Sequence, residues 1–276
     1  MSYLKIPQFG SDKHVSIYYE DIGTGKPVIF IHGWPSSHEM WENQTSTLSQ
    51  HGYRCISYDR RGFGISDKPF DGYDYDTLAS DLNELIEELN LTDITLVGFS
   101  MGGGEIVRYL ANYGETKVSK AVLVSSVCPF MLKTPDNENG VDKKVFDDIV
   151  AGLVKDRADF LTEFGKNFFG VNMINKPVSQ ATLDFAHSLV MRGAPVATQK
   201  CVRAFTETDF RSDVKKINIP VLIIHGDSDK IVPIEVSSDI TSELISHAEY
   251  IRYIDAPHGL FVTHKDELNK DLMNFI

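Results

Sequence analysis

Apolar residues along this 276-residue chain follow two rhythms. The first is a set of short continuous runs: "VIFIHG" from Val28, "YRCISYD" from Tyr53, "ITLVGF" from Ile94, "KAVLVSS" from Lys120 and "VLIIHGD" from Val221. Runs of this length, bounded by turn residues, predict strands buried on both faces. "VSIYYEDIG" from Val15 instead alternates, as an exposed antiparallel strand does, and ends at the turn "GTGKP". The second rhythm is helical. "TLASDLNELIEELN" sets Leu78, Leu82, Leu85, Ile86 and Leu89 on one face. Buried strands alternating with one-faced helices predict a mostly parallel sheet built from right-handed crossovers.

That alternation stops near Pro129. From there to about Asp213 the chain reads as helical and aromatic, in "KKVFDDIVAGLVKD", "RADFLTEFGKNFFG" and "ATLDFAHSLVMRG". The strand rhythm resumes at "IPVLIIHGD". The expected architecture is therefore an α/β core over residues 1–129 and 213–276, with a helical cap over 130–212 inserted between sheet strands.

One stretch resists both rhythms. "GFSMGGGE", Gly98 to Glu105, places a serine between glycines where a strand gives way to a helix. Glycine is unfavourable there unless the backbone bends sharply or another group approaches closely. In open α/β sheets ligands bind beyond the carboxyl ends of the strands. The residues that follow the predicted strands are His32-Gly33-Trp34-Pro35, Gly98-Phe99-Ser100-Met101-Gly102, His225-Gly226-Asp227-Ser228-Asp229 and, after a last strand-like run "EYIRYID" from Glu249, Ala256-Pro257-His258-Gly259. A serine, carboxylates and a histidine thus fall on one edge, in the order Ser, Asp, His. With Gly-x-Ser-x-Gly between strand and helix, that is the pattern of a nucleophile elbow. Ser100 would attack a carbonyl, His258 would take its proton, and an aspartate would orient the imidazole.

Asp229 is favoured over Asp227, which directly follows Gly226 and suits holding the turn. His225 reads as structural, His264 falls in a C-terminal helix, and His32 sits where it would hydrogen-bond the neighbouring loop. The oxyanion hole needs two backbone N–H groups. Met101 follows the nucleophile, and Trp34 is the donor expected from the loop after "VIFI"; Pro35 has no N–H to give. Phosphate-binding loops fail on spacing, since Gly104 stands where a Walker loop needs lysine and Val107 where a dinucleotide fingerprint needs glycine. The histidines are scattered, with no H-x-x-x-H or Cys/His cluster, so no metal and no cofactor is expected.

Composition narrows the setting. A net charge of −12 with no basic block argues against nucleic acid as a partner. Cys55, Cys128 and Cys201 are odd in number and widely spaced, which fits reduced thiols of a cytoplasmic protein. The N-terminal "MSYLKIPQFGSDKH" carries no apolar signal core and no run is long enough to span a membrane, so neither export nor membrane insertion is expected.

Taken together, "FIHGWP", "YDRRGFGISDKP", "GFSMGGGEIVRYL", "IHGDSDKIVP" and "APHG" resemble the cofactor-free haloperoxidase, aryl-esterase and perhydrolase branch of the α/β-hydrolases. The resemblance covers nearly the whole core. It implies a Ser100–Asp229–His258 triad, with the N–H groups of Trp34 and Met101 as oxyanion hole. It also implies a hydrolase of small carboxylic esters in which hydrogen peroxide can replace water on the acyl-enzyme, giving a peracid that oxidises halide without a metal. Related families that use an aspartate at the elbow are disfavoured, because Ser100 stands there. Pro35 restricts Trp34 to extended angles, which would aim the Trp34 carbonyl at bound hydroperoxide; perhydrolase-type members are similar in carrying this proline. Phe130, Phe164, Phe168 and Phe169 are candidates for an apolar acyl pocket. The resemblance leaves a homo-oligomer open, since relatives are often oligomeric, but the sequence carries no interface signature of its own. A lactamase on the same triad and a non-catalytic small-molecule receptor on the same fold remain open alternatives.

Overall fold

The computed structural model describes residues 2–7 and 14–276; Met1 and residues 8–13, part of the N-terminal stretch read above for a signal core, lie outside the described residues. Eight strands form one sheet: β1 (Ser2–Pro7), β2 (His14–Ile22), β3 (Lys26–Ile31), β4 (Tyr53–Tyr58), β5 (Ile94–Phe99), β6 (Val118–Val124), β7 (Val221–Gly226) and β8 (Glu249–Tyr253). Their order is β1-β2-β4-β3-β5-β6-β7-β8. β2 pairs antiparallel with β1 and β4, and every pairing from β4 to β8 is parallel. Each continuous apolar run is a parallel strand and the alternating run is β2, as the pattern predicted. The strand β1 was not foreseen. Only Leu4 and Ile6 of it are buried, too short an alternation to stand out.

The parallel strands are apolar on both faces because both faces are covered. Ile29, Ile31, Ile56, Leu96, Leu123 and Ile223 point into one cluster with Leu78, Leu82, Leu85, Ile106 and Val107. Val28, Phe30, Val97, Phe99, Val122, Leu222 and Ile224 point into the other, against Trp41, Leu48, Phe261, Leu268 and Leu272. Each such side chain contributes about 1.5–3 kcal/mol by leaving water. The first face carries α2 (Tyr75–Glu88) and α3 (Met101–Tyr113); the second carries α1 (Glu42–Gln50), which follows a 3-10 turn at His38–Trp41. Asp74 starts α2 by accepting the Thr77 N–H at 2.9 Å, satisfying one of the helix's orphan donors.

Between β6 and β7 come α4 (Lys143–Lys155), α5 (Arg157–Phe168), α6 (Gln180–Met191), α7 (Pro195–Glu207) and the single turn α8 (Arg211–Val214). Asp156 ends α4 and begins α5, accepting the Asp159 N–H, so the two helices meet at a corner. The helix α7 was not read from sequence. Its inward face holds Thr198 and Thr206 beside Ala197, Cys201 and Val202, and polar residues mask the apolar stripe. This segment is tied back to the sheet side by Ala194 N–H to Gly62 O at 2.8 Å, Phe210 N–H to Pro129 O at 2.8 Å, and Arg192 to Glu39 at 2.5 Å. The chain closes with α9 (Ser238–Leu244), α10 (Leu260–Thr263) and α11 (Lys265–Phe275). His264, expected inside a C-terminal helix, instead stands at the junction of α10 and α11.

No helix among the described residues is long and apolar enough to cross a membrane. Cys55, Cys128 and Cys201 are all buried free thiols, and burial pushes each up to about 12. Thiols held so far above working pH are poor nucleophiles. Titration with a disulfide reagent is expected to find less than one reactive thiol in the native protein and three after unfolding; prompt reaction of the native protein would contradict this packing.

Candidate active site

The glycines around Ser100 are explained by what surrounds them. A Cβ on Gly98 would lie 2.5 Å from Gly102 O, and one on Gly102 would lie 2.5 Å from Ile31 O. Gly103 abuts Ser126, and a Cβ on Gly104 would meet Phe210 and Tyr75 at 2.8 Å. The whole "GFSMGGG" run is thus pressed against β3, β6 and the residues covering α3. Ser100 takes the turn itself, at φ 53° and ψ −115°. That left-handed angle costs a serine on the order of 1–3 kcal/mol, offset by Ser100 N–H to Val124 O at 2.8 Å and Gly103 N–H to Ser100 O at 3.0 Å. The helix α3 begins at Met101 and directs the positive end of its dipole at the turn.

The histidine and aspartate arrive from the two last strands. His258 Nδ1 donates to Asp229 Oδ2 at 2.6 Å. The same oxygen receives His225 Nε2–H at 3.1 Å, while Asp229 Oδ1 accepts the N–H groups of Ile231 at 2.8 Å and Val232 at 2.9 Å. Burial alone would raise this carboxyl, but the charges and hydrogen bonds of His258 and His225 outweigh it and hold it well below the usual carboxylate range. Asp229 is therefore an ionised, fully bonded partner for His258. Asp227 points elsewhere, accepting Asp255 N–H at 2.7 Å to hold the turn. His225, read from sequence as structural, also accepts from Ser238 Oγ at 2.7 Å and so fixes the Asp229 loop from behind.

Ser100 and His258 line one chamber of about 30 Å³, room for roughly two water molecules, with Trp34, Val127, Met131, Phe146 and Phe164 among its walls. Among the described residues, Ser100 Oγ and His258 share no hydrogen bond in this conformation; such bonds commonly tighten only with substrate bound. The amides of Trp34 and Met101 likewise have no hydrogen-bonded acceptor among the described residues. Gly33 lets the Trp34 loop reach the elbow, since a Cβ there would meet the Phe99 ring at 2.5 Å and Ser100 Cβ at 3.2 Å. The Trp34–Pro35 peptide is cis. A larger cavity, about 530 Å³, lies beyond, lined by α5, α6 and the loop after β3, including Pro35. Trp34 and Phe164 wall both spaces, their rings edge-on with centroids 5.4 Å apart. Of the phenylalanines considered for an apolar pocket, Phe164 lines both, Phe168 and Phe169 line the larger, and Phe130 lines neither: its ring faces the Arg211 guanidinium at 5.2 Å.

Residues 26–265 match the family described as alpha/beta hydrolase fold. The chain is 40% identical to a non-heme chloroperoxidase of Kitasatospora aureofaciens, over 95% of this chain and 96% of that one. It is 40% identical to a bifunctional esterase/perhydrolase of Acinetobacter calcoaceticus, with the same coverage. The crystal structure of a bromoperoxidase from Bacillus anthracis superposes with a TM-score of 0.94, at 44% identity and 99% coverage of both chains. The chain belongs to the α/β-hydrolase family, in its non-heme haloperoxidase branch.

In this α/β-hydrolase the residues that sequence reading missed are buried charges beneath the site. Arg60 Nε donates to Glu105 Oε2 at 2.8 Å, and Tyr58 Oη donates to the other Glu105 oxygen. Arg60 Nη2 donates to His32 O at 2.8 Å, and Arg60 N–H to His32 Nε2 at 3.0 Å. The other His32 nitrogen then donates to Gly33 O at 2.9 Å, a tautomer assigned from this network. Burial, with Arg60 beside it, drops His32 to about 3, so it stays neutral. One ion pair thereby joins α3, which begins at the elbow, to the loop that carries Trp34. The signal was present in "YDRRGFG" and in the final Glu of "GFSMGGGE", charged residues set against apolar runs, but no local spacing relates positions 60 and 105. Glu105→Gln leaves Arg60 buried without its counter-charge, so unfolding by urea should show a loss of about 3–5 kcal/mol. A loss below about 1 kcal/mol, the range of an exposed pair, would contradict it.

Proposed function

We propose that this protein is a serine hydrolase of small carboxylic esters that also forms peracids from hydrogen peroxide. Ser100 is the nucleophile, His258 the general base and acid, and Asp229 the group that orients and charge-balances His258. The N–H groups of Trp34 and Met101 form the oxyanion hole. Residues 130–212 act as a cap over the strand ends. The observation that carries this reading is the serine at φ 53° sharing a chamber with a histidine bonded to a buried aspartate. Attack on the ester carbonyl gives an acyl-enzyme and releases the alcohol. Water then returns the acid, or hydrogen peroxide returns the peracid, with His258 taking the proton of either.

The size of the chamber supports a short acyl group. Its apolar walls, Val127, Met131, Phe146 and Ile149, would solvate a methyl or ethyl chain and disfavour a charged one. Pro35 is assigned a tuning role: by fixing the backbone of the preceding residue it directs the Trp34 carbonyl to accept a hydrogen bond from hydroperoxide. The setting proposed is the cytoplasm, where three buried thiols remain reduced.

The test is a product partition. With p-nitrophenyl acetate and hydrogen peroxide, wild type should release both acetate and peracetate, and Ser100→Ala should lower both by at least about 10³-fold. Acetate without peracetate would reduce the reading to a plain esterase. Turnover that survives in Ser100→Ala would remove the nucleophile assignment. Pro35→Leu should lower the peracetate fraction more than total acyl turnover; an unchanged fraction would end the role given to Pro35.

A further inference from the structure

The chamber that holds Ser100 and His258 also holds a thioether. Met131 is 1% exposed to solvent and forms part of the chamber wall. Its neighbours there, Val127, Phe146 and Ile149, are hydrocarbons that a peracid does not attack. Met101, next to the nucleophile in sequence, lines neither cavity; it packs among the residues under α2 and α3. Thioethers are the readily oxidised apolar side chains, and conversion to sulfoxide makes them polar.

We propose that Met131 is a self-oxidation site: a peracid made on Ser100 transfers its terminal oxygen to Met131 Sδ before leaving the chamber. This rests on the perhydrolase reading above. The balance is closed. The peroxy O–O bond breaks and an S–O bond forms; sulfur gives up two electrons and the peracid accepts them. The peroxy proton moves to the remaining oxygen, and the product is the ordinary carboxylic acid. Enclosure makes the transfer effective, since a peracid born in a space this small meets Met131 at a high effective concentration. The consequence is loss of function. A sulfoxide oxygen puts a polar group beside Val127, Phe146 and Ile149 and takes up room in a chamber of about 30 Å³, so an apolar acyl group fits less well.

The experiment runs the enzyme on ethyl acetate and hydrogen peroxide, follows peracetate, then measures sulfoxide at each methionine by peptide mass. Ser100→Ala given the same final peracetate from outside is the comparison. Met173, 98% exposed, reports oxidation from bulk solution and should be equal in both samples. Met131 sulfoxide should be several-fold higher in the working enzyme. Met131→Leu, normalised to its own initial rate, should complete several-fold more perhydrolytic turnovers before half its activity is lost. If peracetate forms and Met131 is oxidised no more than in the comparison, the proposal is overturned. Oxygen found on Trp34 instead overturns it as well. If no peracetate forms, the perhydrolase reading itself fails and the proposal falls with it, an outcome told apart by the peracetate measurement alone.

Discussion

The contact on which the site geometry rests is the buried pair of Arg60 and Glu105. Neither partner lines the chamber that holds Ser100 and His258, and each is inaccessible to water. Arg60 spends its donors on a carboxylate in α3 and a carbonyl at the end of β3, and its own amide meets the His32 ring. Three segments that are distant in sequence are therefore held at hydrogen-bond tolerance, a few tenths of an ångström, where apolar packing would allow more slip. Ion pairs of this kind bring little net stability compared with a well-packed apolar core. What they fix is direction, here that of the loop bearing Trp34 relative to the start of α3.

The parallel sheet supplies the other half of the arrangement. Every strand from β4 to β8 ends on the same edge, so residues that follow strands converge without long excursions of the chain. Ser100, Asp229 and His258 each sit within a few residues of such an end, on β5, β7 and β8. That is why the sheet and the candidate serine, aspartate and histidine were legible in the sequence. Continuous apolar runs mark strands with two covered faces, and a reactive residue just beyond a run has its position set by the run.

What was not legible depends on contacts between distant positions. The strand β1 is recognisable only through its pairing with β2. The helix α7 hides its buried face behind Thr198, Cys201 and Thr206, residues that interrupt the apolar stripe a sequence pattern would need. The role of His225 as a second donor to Asp229 follows from the curl of a loop that places residue 229 back over residue 225, which no periodicity encodes. Phe130 illustrates the converse: an aromatic at the right point in the chain whose ring faces the Arg211 guanidinium instead of a cavity.

The indole N–H of Trp34 donates to the backbone carbonyl of Thr198, at 2.9 Å, in the interior of α7. Because the acceptor is main chain, the tether makes no demand on which side chain occupies position 198. The helical segment between β6 and β7 can therefore change at this position, and at the side chains that wall the chamber, without losing the bond to Trp34. Like the amide of Ala194 on Gly62 O, this contact docks the segment through a main-chain group, and neither bond depends on the side chain at that position of the segment. A family built this way can acquire new substrate preferences by local substitution without having to rediscover how its two parts fit together.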